Sequence, residues 1–123
     1  MTIHESAENY LEAILVLQQE KGVVRSIDVA QHMQFTKPSV SRAMTLFRQN
    51  GYVTMDQGGF IELTESGREI AERIYERHRL LTEWLVRLGV PQSIAAEDAC
   101  RIEHDISKET FDCLKAFFSN LPG

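Results

Sequence analysis

Apolar residues recur at helical spacing through the first half of the chain, and polar capping residues separate the runs. The spacing predicts an amphipathic helix over residues 5–19. Ser26 is the expected cap of a short helix over residues 27–33, and Thr36 is the expected cap of the next, over residues 37–50. Two short helices joined by a tight turn predict a helix-turn-helix.

Two short runs rich in strand-forming residues follow this motif. Residues 52–55 and 60–63 predict strands on either side of an Asp-Gln-Gly-Gly turn at residues 56–59, which is a hairpin signal. A helix-turn-helix followed directly by a β-hairpin is typical of a winged helix, whose hairpin lies along the DNA backbone or the minor groove. This order of elements favours DNA binding over the alternative, an ordinary antiparallel helix pair with a polar outer face.

The second half of the chain is predicted to form three helices. Thr64 caps a long helix that ends near residue 88, Pro91 helps to start the next one, and Ser107 caps the last. The expected architecture is therefore mainly α, with an N-terminal winged helix-turn-helix domain over residues 1–63 and an all-helical domain over residues 64–123.

Composition and charge limit the classes of function that the protein can have. The chain has 123 residues and a net charge of −5, with 43% hydrophobic and 25% charged residues, as in a globular protein. No apolar run reaches the ~20 residues of a membrane span, and no signal-peptide core is present, so we expect a cytoplasmic protein without a membrane partner. The acidic net charge argues mildly against nucleic-acid binding. Residues 25–51, however, carry four basic residues and one acid, which gives this segment a local charge of +3.

This locally basic segment contains the expected DNA-facing residues. The start of the second helix of the helix-turn-helix exposes small, polar and basic side chains, as insertion into a major groove requires. The residues expected on its buried side are Val40, Ala43, Met44 and Phe47. The residues expected to face DNA are Arg25, Ser26, Thr36, Lys37, Pro38, Ser39, Ser41 and Arg42.

Residues 100–104 contain the candidate for metal chemistry. Positions i, i+3 and i+4 share one face of a helix, so Cys100, Glu103 and His104 point the same way. A thiol, a carboxylate and an imidazole together can hold a divalent transition metal. The alternative is a solvated helix face on which His104 pairs with Glu103 and Cys100 is simply buried.

Spacing alone does not identify the remaining candidate residues as metal ligands. Asn9 and Glu12 lie one turn apart on the first helix and are interpreted from spacing as solvated surface residues. His78 lies in the middle of the long helix, where a lone histidine is more often structural than a ligand. Cys113 is interpreted as a small buried hydrophobe, because it has no ligand-type neighbour at helical spacing beyond Asp112 and Glu109.

The last helices carry more large apolar residues than so small a domain is expected to bury alone. Exposed patches of that kind usually mark association, and a symmetric dimer would let two winged helices read a palindrome. The alternative is that these residues pack the domain onto the long helix. The residues expected at the dimer interface are Trp84, Phe111, Leu114, Phe117 and Phe118.

Four segments of the chain carry a family resemblance that covers nearly its whole length. They are residues 7–12, 36–41, 77–81 and 97–107. Together with the winged helix they resemble the diphtheria-toxin-repressor/MntR family of metal-dependent transcriptional regulators. The resemblance implies that residues 64–123 form a metal-binding and dimerisation lobe, and that a metal is held between the first helix, the long helix and the helix after it. The ligand positions that it implies are Asn9, Glu12, His78, Cys100, Glu103 and His104.

The implied ligand set mixes two branches of the family. Residues 100–104 match the iron-sensing branch, in which a methionine commonly stands at the position of Asn9. The manganese branch has acids at positions 9, 12 and 100, and of these only Glu12 remains. The second metal site of the iron branch would require a Glu in place of Thr82 and a His in place of Ala96, so we do not expect it in its usual form.

The donor atoms suit a borderline metal. One thiolate and two imidazoles favour Fe(II), Co(II), Ni(II) or Zn(II), while two carboxylates and an amide oxygen also suit Mn(II). We expect Fe(II) first and Mn(II) second, with other divalent transition metals binding in vitro. The expected function is a homodimeric repressor, not an enzyme, that binds palindromic double-stranded operator DNA when charged with metal and controls metal-homeostasis genes. The alternatives are a winged-helix regulator that ignores metal and a small metalloenzyme, which would need an open metal position and a general base.

Overall fold

The computed structural model describes residues 5–121, which form six helices and one two-stranded sheet. The elements are α1 (Glu5–Lys21), α2 (Ser26–Met33), α3 (Lys37–Gln49), β1 (Val53–Met55), β2 (Ile61–Leu63), α4 (Glu65–Arg87), α5 (Gln92–Asp105) and α6 (Lys108–Ser119). The predicted mainly α architecture with an N-terminal winged helix-turn-helix is confirmed. The outer ends of the two predicted domains, residues 1–4 and 122–123, lie outside the described residues.

The chain divides into two compact units, Met1–Arg73 and Ile74–Gly123, and the division falls within α4. The first unit contains α1, α2, α3, the sheet and the start of α4. The second contains the rest of α4 with α5 and α6. Within residues 5–121, no helix is both long enough and apolar enough to cross a membrane.

One face of α1 builds the core of the first unit. Leu11 and Ile14 are completely buried on it, and the Tyr10 ring packs edge-on against Phe35 and Phe47, with centroid separations of 5.6 and 5.5 Å. Of the four side chains predicted for the buried side of α3, Val40, Met44 and Phe47 are buried in this core. Ala43 is only half-buried. Burying this apolar stripe leaves the polar side of α3 exposed.

The start of α2 differs from the prediction by one residue. Ser26 is already helical, and the cap position is Arg25, whose extended backbone is paired with Phe60. The Asp28 carboxylate accepts a hydrogen bond from the Arg25 N–H at 2.9 Å. This backbone hydrogen bond, together with one from the Lys21 ammonium, lowers the pKa of Asp28. The prediction of a Ser26 cap was wrong because pairing across 35 residues of sequence decides where the helix begins.

The wing is shorter than predicted but has an additional pairing partner. The strands pair antiparallel, with Val53 opposite Leu63, Thr54 opposite Glu62 and Met55 opposite Ile61. The turn is closed by Asp56, whose carboxylate accepts from the Phe60 N–H at 2.9 Å and whose own N–H donates to the Phe60 carbonyl at 3.1 Å. Ile61 also donates to the Val24 carbonyl at 2.7 Å, so the wing is tied to the segment before α2.

A cluster of aromatic rings forms the core of the second unit. Trp84 stacks on Phe118 with ring centroids 5.1 Å apart and packs against Phe111 at 5.5 Å. Leu114 is half-buried against the same cluster, whereas Phe117 is 61% exposed. The expectation that this domain could not cover its apolar residues was therefore wrong for Trp84, Phe111 and Phe118, because stacking across α4 and α6 buries all three.

The orientation of α6 also corrects the interpretation of Cys113. Ser107 caps the helix as predicted, its hydroxyl accepting from the Thr110 N–H at 3.1 Å. Phe111 and Phe118, seven residues apart, define the buried face. Cys113 follows Phe111 by two residues, which is about 200° around a helix. It is consequently exposed rather than buried.

Candidate metal centre and DNA-facing surface

A fully buried carboxylate lies at the centre of the predicted metal site in the second unit. Glu103 of α5 has no exposed side-chain surface, and its Oε2 lies 2.9 Å from Nδ1 of His78 on α4. Nε2 of His104 lies 3.4 Å from Glu103 Oε1 without the alignment of a hydrogen bond, and the His104 side chain is only 2% exposed. Oε1 has no hydrogen-bond partner among residues 5–121. The structure thus brings three of the six predicted ligands into direct contact.

A buried arginine, which the sequence interpretation missed, positions the backbone of Glu103. Arg77 of α4 donates to the carbonyl of Glu103 at 3.1 Å and to that of Ile106 at 2.8 Å, so it satisfies two carbonyls at the C-terminal end of α5. Its guanidinium also lies over the Phe111 ring, 5.4 Å from the centroid. The available signal was its place on the apolar face of α4, three residues after the buried Ile74.

The other three predicted ligands are Cys100, Asn9 and Glu12. Cys100 lies one turn before Glu103 on α5 and is exposed, so the alternative in which it is simply buried is wrong. Asn9 and Glu12 lie on α1, in the first unit, and both are half-buried. Within residues 5–121, no group of three or more His, Cys, Asp and Glu side chains has its donor atoms arranged as a finished metal site.

In the first unit, the start of α3 presents the predicted DNA-facing side chains. The Thr36 hydroxyl caps the helix by accepting from the Ser39 N–H at 3.3 Å, and no acid occurs in the first turn. Lys37, Ser41 and Arg42 are exposed. The helix N-terminus therefore combines a positive dipole end with basic side chains, which suits phosphate.

Arg25 extends this surface towards the wing. It is exposed, and its guanidinium carbon lies 4.2 Å from the centroid of the Phe60 ring. Sequence reasoning included Arg25 in the surface but missed Phe60, because the two residues are brought together only when the hairpin folds back beside the segment before α2.

Comparison with known families covers nearly the whole chain. Residues 2–59 match the model for the N-terminal DNA-binding domain of iron-dependent repressors, and residues 64–122 match the model for their metal-binding and dimerisation domain. The transcriptional regulator MntR of Salmonella typhimurium is 33% identical over 113 residues, covering 92% of this chain and 72% of that protein. The chain belongs to the diphtheria-toxin-repressor/MntR family of metal-dependent transcriptional regulators.

Solved structures of family members share the fold. IdeR of T. acidophilum superposes with a TM-score of 0.81 at 26% identity, covering 97% of this chain and 55% of that one. The manganese regulator SloR gives a TM-score of 0.80 at 25% identity, covering 98% of this chain and 56% of that one. The chain therefore spans about half the length of these solved structures.

The side chains around Glu103 are of types that bind divalent metals. A buried carboxylate oxygen without a hydrogen-bond partner is costly in a protein interior unless a cation or donor compensates it. At Glu103 the adjacent groups are two imidazoles, and a thiol lies one turn earlier on the same helix. Carboxylate, imidazole and thiolate together are ligands for borderline divalent metals.

The positions of the family's second site lie in a groove on the surface of the second unit. Thr82 and Ala96 line it together with His78, and its volume is about 510 Å³. The Thr82 hydroxyl donates to the His78 carbonyl at 2.7 Å. Thr82 and Ala96 supply neither a carboxylate nor an imidazole, although Glu83 and His78 in the same lining supply one of each.

Proposed function

We propose that this protein is a homodimeric transcriptional repressor that binds operator DNA when it is charged with Fe(II) or Mn(II). The observation that carries the proposal is the buried Glu103 carboxylate between His78 and His104, in a chain whose other unit exposes a basic helix-turn-helix. Cys100 favours Fe(II), whereas the names of the relatives MntR and SloR support Mn(II) equally well.

In this proposal the metal has six candidate ligands with distinct roles. Glu12 and Glu103 supply carboxylate oxygens, His78 and His104 supply imidazole nitrogens, and Asn9 supplies an amide oxygen. Cys100 supplies a thiolate, so that binding releases a proton and metal affinity falls as the pH is lowered. Because His78 and Glu103 hydrogen-bond to each other, a metal would replace that hydrogen bond with two bonds to the ion.

We also propose that the metal couples the two units. Asn9 and Glu12 belong to the first unit, whereas the other four ligands belong to the second. If residues of both sets held one ion, the position of the DNA-binding unit in each subunit would be restricted, and with it the separation of the two α3 helices in a dimer. Metal then favours DNA binding through its differential affinity for the DNA-competent arrangement.

The proposed interface with DNA gives a prediction for Arg42. If its guanidinium reads a guanine edge, Arg42→Ala should lose ~1–3 kcal/mol of operator affinity and relax specificity at one base pair. A uniform loss over all sequences with a shallower salt dependence would instead identify a phosphate contact. Binding to a panel of single-base operator variants distinguishes the two, and parent-like affinity throughout would remove Arg42 from the interface.

The proposed dimer gives a prediction for Phe117. It is the most exposed of the predicted interface residues, so a charge there disturbs the monomer least. Phe117→Arg should weaken or abolish the dimer in sedimentation experiments, because a buried unpaired charge is costly. Leu46→Arg, at a residue 56% exposed in the first unit, is the matched control and should leave the dimer intact. A Phe117→Arg dimer as stable as the parent would show that the interface lies elsewhere.

The function itself is tested by measuring binding to the duplex upstream of the protein's own coding sequence, with Mn(II), with Fe(II) and with a chelator. The proposal expects tight binding only with metal. Equal binding with and without metal would instead favour a winged-helix regulator that ignores metal. No binding under any condition would contradict the proposed function.

A further inference from the structure

The wing and the start of α2 are joined by one aromatic–cation contact on the exposed surface of the first unit. The Arg25 guanidinium carbon lies 4.2 Å from the Phe60 ring centroid, well within the range of a cation–π interaction. We propose that Phe60 is a positioning residue for DNA binding: its ring holds the Arg25 guanidinium so that the wing and the helix-turn-helix present one phosphate-binding surface. This inference rests on the proposed function.

Both partners of this contact are held by their backbones. Arg25 donates its N–H to Asp28 and accepts from the Asp28 N–H at 3.0 Å, while its extended backbone bridges to Phe60. Phe60 is fixed by two hydrogen bonds to Asp56 in the turn. The ring also packs closely on the turn, since a Cβ added to Gly58 would lie 3.2 Å from two of its carbons. The stack therefore joins two backbone segments that are each held by hydrogen bonds.

Stacking on a ring leaves the donors of an arginine available. The ring contacts the face of the guanidinium, whereas its five N–H donors point outward in the guanidinium plane. Among residues 5–121, the hydrogen bonds in which Arg25 takes part involve its backbone. A long side chain that is already ordered loses less rotamer freedom on binding, so its contact with a phosphate yields more affinity.

A double-mutant cycle between Arg25 and Phe60 tests this role. The four proteins are the parent, Phe60→Leu, Arg25→Ala and the double variant, each titrated with the upstream duplex in the presence of Mn(II). Phe60→Leu should weaken binding about two- to fivefold, the equivalent of an exposed cation–π contact. It should leave the salt dependence unchanged because the charge remains, whereas Arg25→Ala should reduce the slope by about 0.9.

The decisive comparison is the effect of Phe60→Leu when Arg25 is already alanine. We expect that effect to disappear, and we expect Phe60→Tyr, which keeps the aromatic face, to bind like the parent. An equal loss of DNA affinity from Phe60→Leu with and without Arg25 would overturn the inference, because Phe60 would then affect binding only through the stability of the fold. It would leave the proposed function standing as long as the parent binds the duplex, whereas a parent that fails to bind would contradict both.

The contact can also be tested without DNA. In the free protein, side-chain protons of Arg25 should show upfield ring-current shifts in NMR spectra of the parent and of Phe60→Tyr, and lose them in Phe60→Leu. Unshifted Arg25 protons in the folded parent would remove the stack on which the inference depends, whatever the DNA titrations give.

Discussion

Replacing Gly67 with alanine should destabilise the first unit by about 1–3 kcal/mol, as overpacking does in other proteins. Gly67 is buried in the first turn of α4, and a Cβ added there would overlap the carbonyl oxygen of Tyr52. That carbonyl accepts a hydrogen bond from the Thr64 N–H at 3.0 Å, and the Thr64 hydroxyl donates to the Gly51 carbonyl at 2.6 Å. The substitution therefore forces apart the junction between the end of α3, the wing and α4.

The sign of the change in stability distinguishes steric overlap at Gly67 from the effect of helix propensity. Helix propensity alone predicts that alanine stabilises a helix interior by up to ~1 kcal/mol relative to glycine. The close approach of the Tyr52 carbonyl outweighs that gain. The neighbouring Ser66→Ala, at an exposed position, should change stability by no more than ~0.5 kcal/mol. Denaturant unfolding of both variants settles the matter, and a Gly67→Ala protein as stable as the parent would show that the junction can adjust.

Replacing Glu103 with glutamine should abolish the metal response of DNA binding. Glutamine keeps the size of the side chain and removes the charge of the buried carboxylate that contacts His78 and His104. Coupling between an effector and a ligand is typically ~1–3 kcal/mol, or about 5- to 150-fold in affinity. We expect that factor to fall to one in Glu103→Gln and in Cys100→Ala, while the weak metal-free binding persists.

The matched control is Asp105→Asn, which removes an exposed carboxylate from the same helix. It should respond to Mn(II) and Fe(II) like the parent. Circular dichroism of each variant shows whether the helices remain folded. A folded Glu103→Gln protein with the full metal response would show that this carboxylate is not part of the sensor.

Sequence reasoning succeeded where the signal is local. The caps at Thr36 and Ser107 were predicted correctly because each hydroxyl satisfies an N–H three residues further on. The buried stripe of α3 was likewise predicted from helical spacing. The fold class followed from local signals of this kind, whereas the family was identified by the resemblance of four short segments to known regulators.

Long-range contacts account for what the sequence interpretation missed. The start of α2 depends on Phe60, which is distant in sequence from Arg25. The burial of Trp84 depends on ring stacking with Phe118 of another helix. Arg77 reaches carbonyls at the end of α5, and no spacing rule within α4 identifies those acceptors. Sequence reasoning therefore named Glu103 and the two histidines beside it as candidate ligands, but it missed the arginine that donates to the Glu103 carbonyl.

The coupling between metal and DNA can be measured most directly from the metal side. By linkage, operator DNA must tighten metal binding by the same factor by which metal tightens DNA binding. The measurement is the Mn(II) affinity of the parent protein, followed by the EPR signal of free Mn(II), with and without a saturating concentration of the upstream duplex. We predict an affinity about 5- to 150-fold higher with the duplex present. The same Mn(II) affinity in both conditions, under salt where the duplex is bound, would contradict the account.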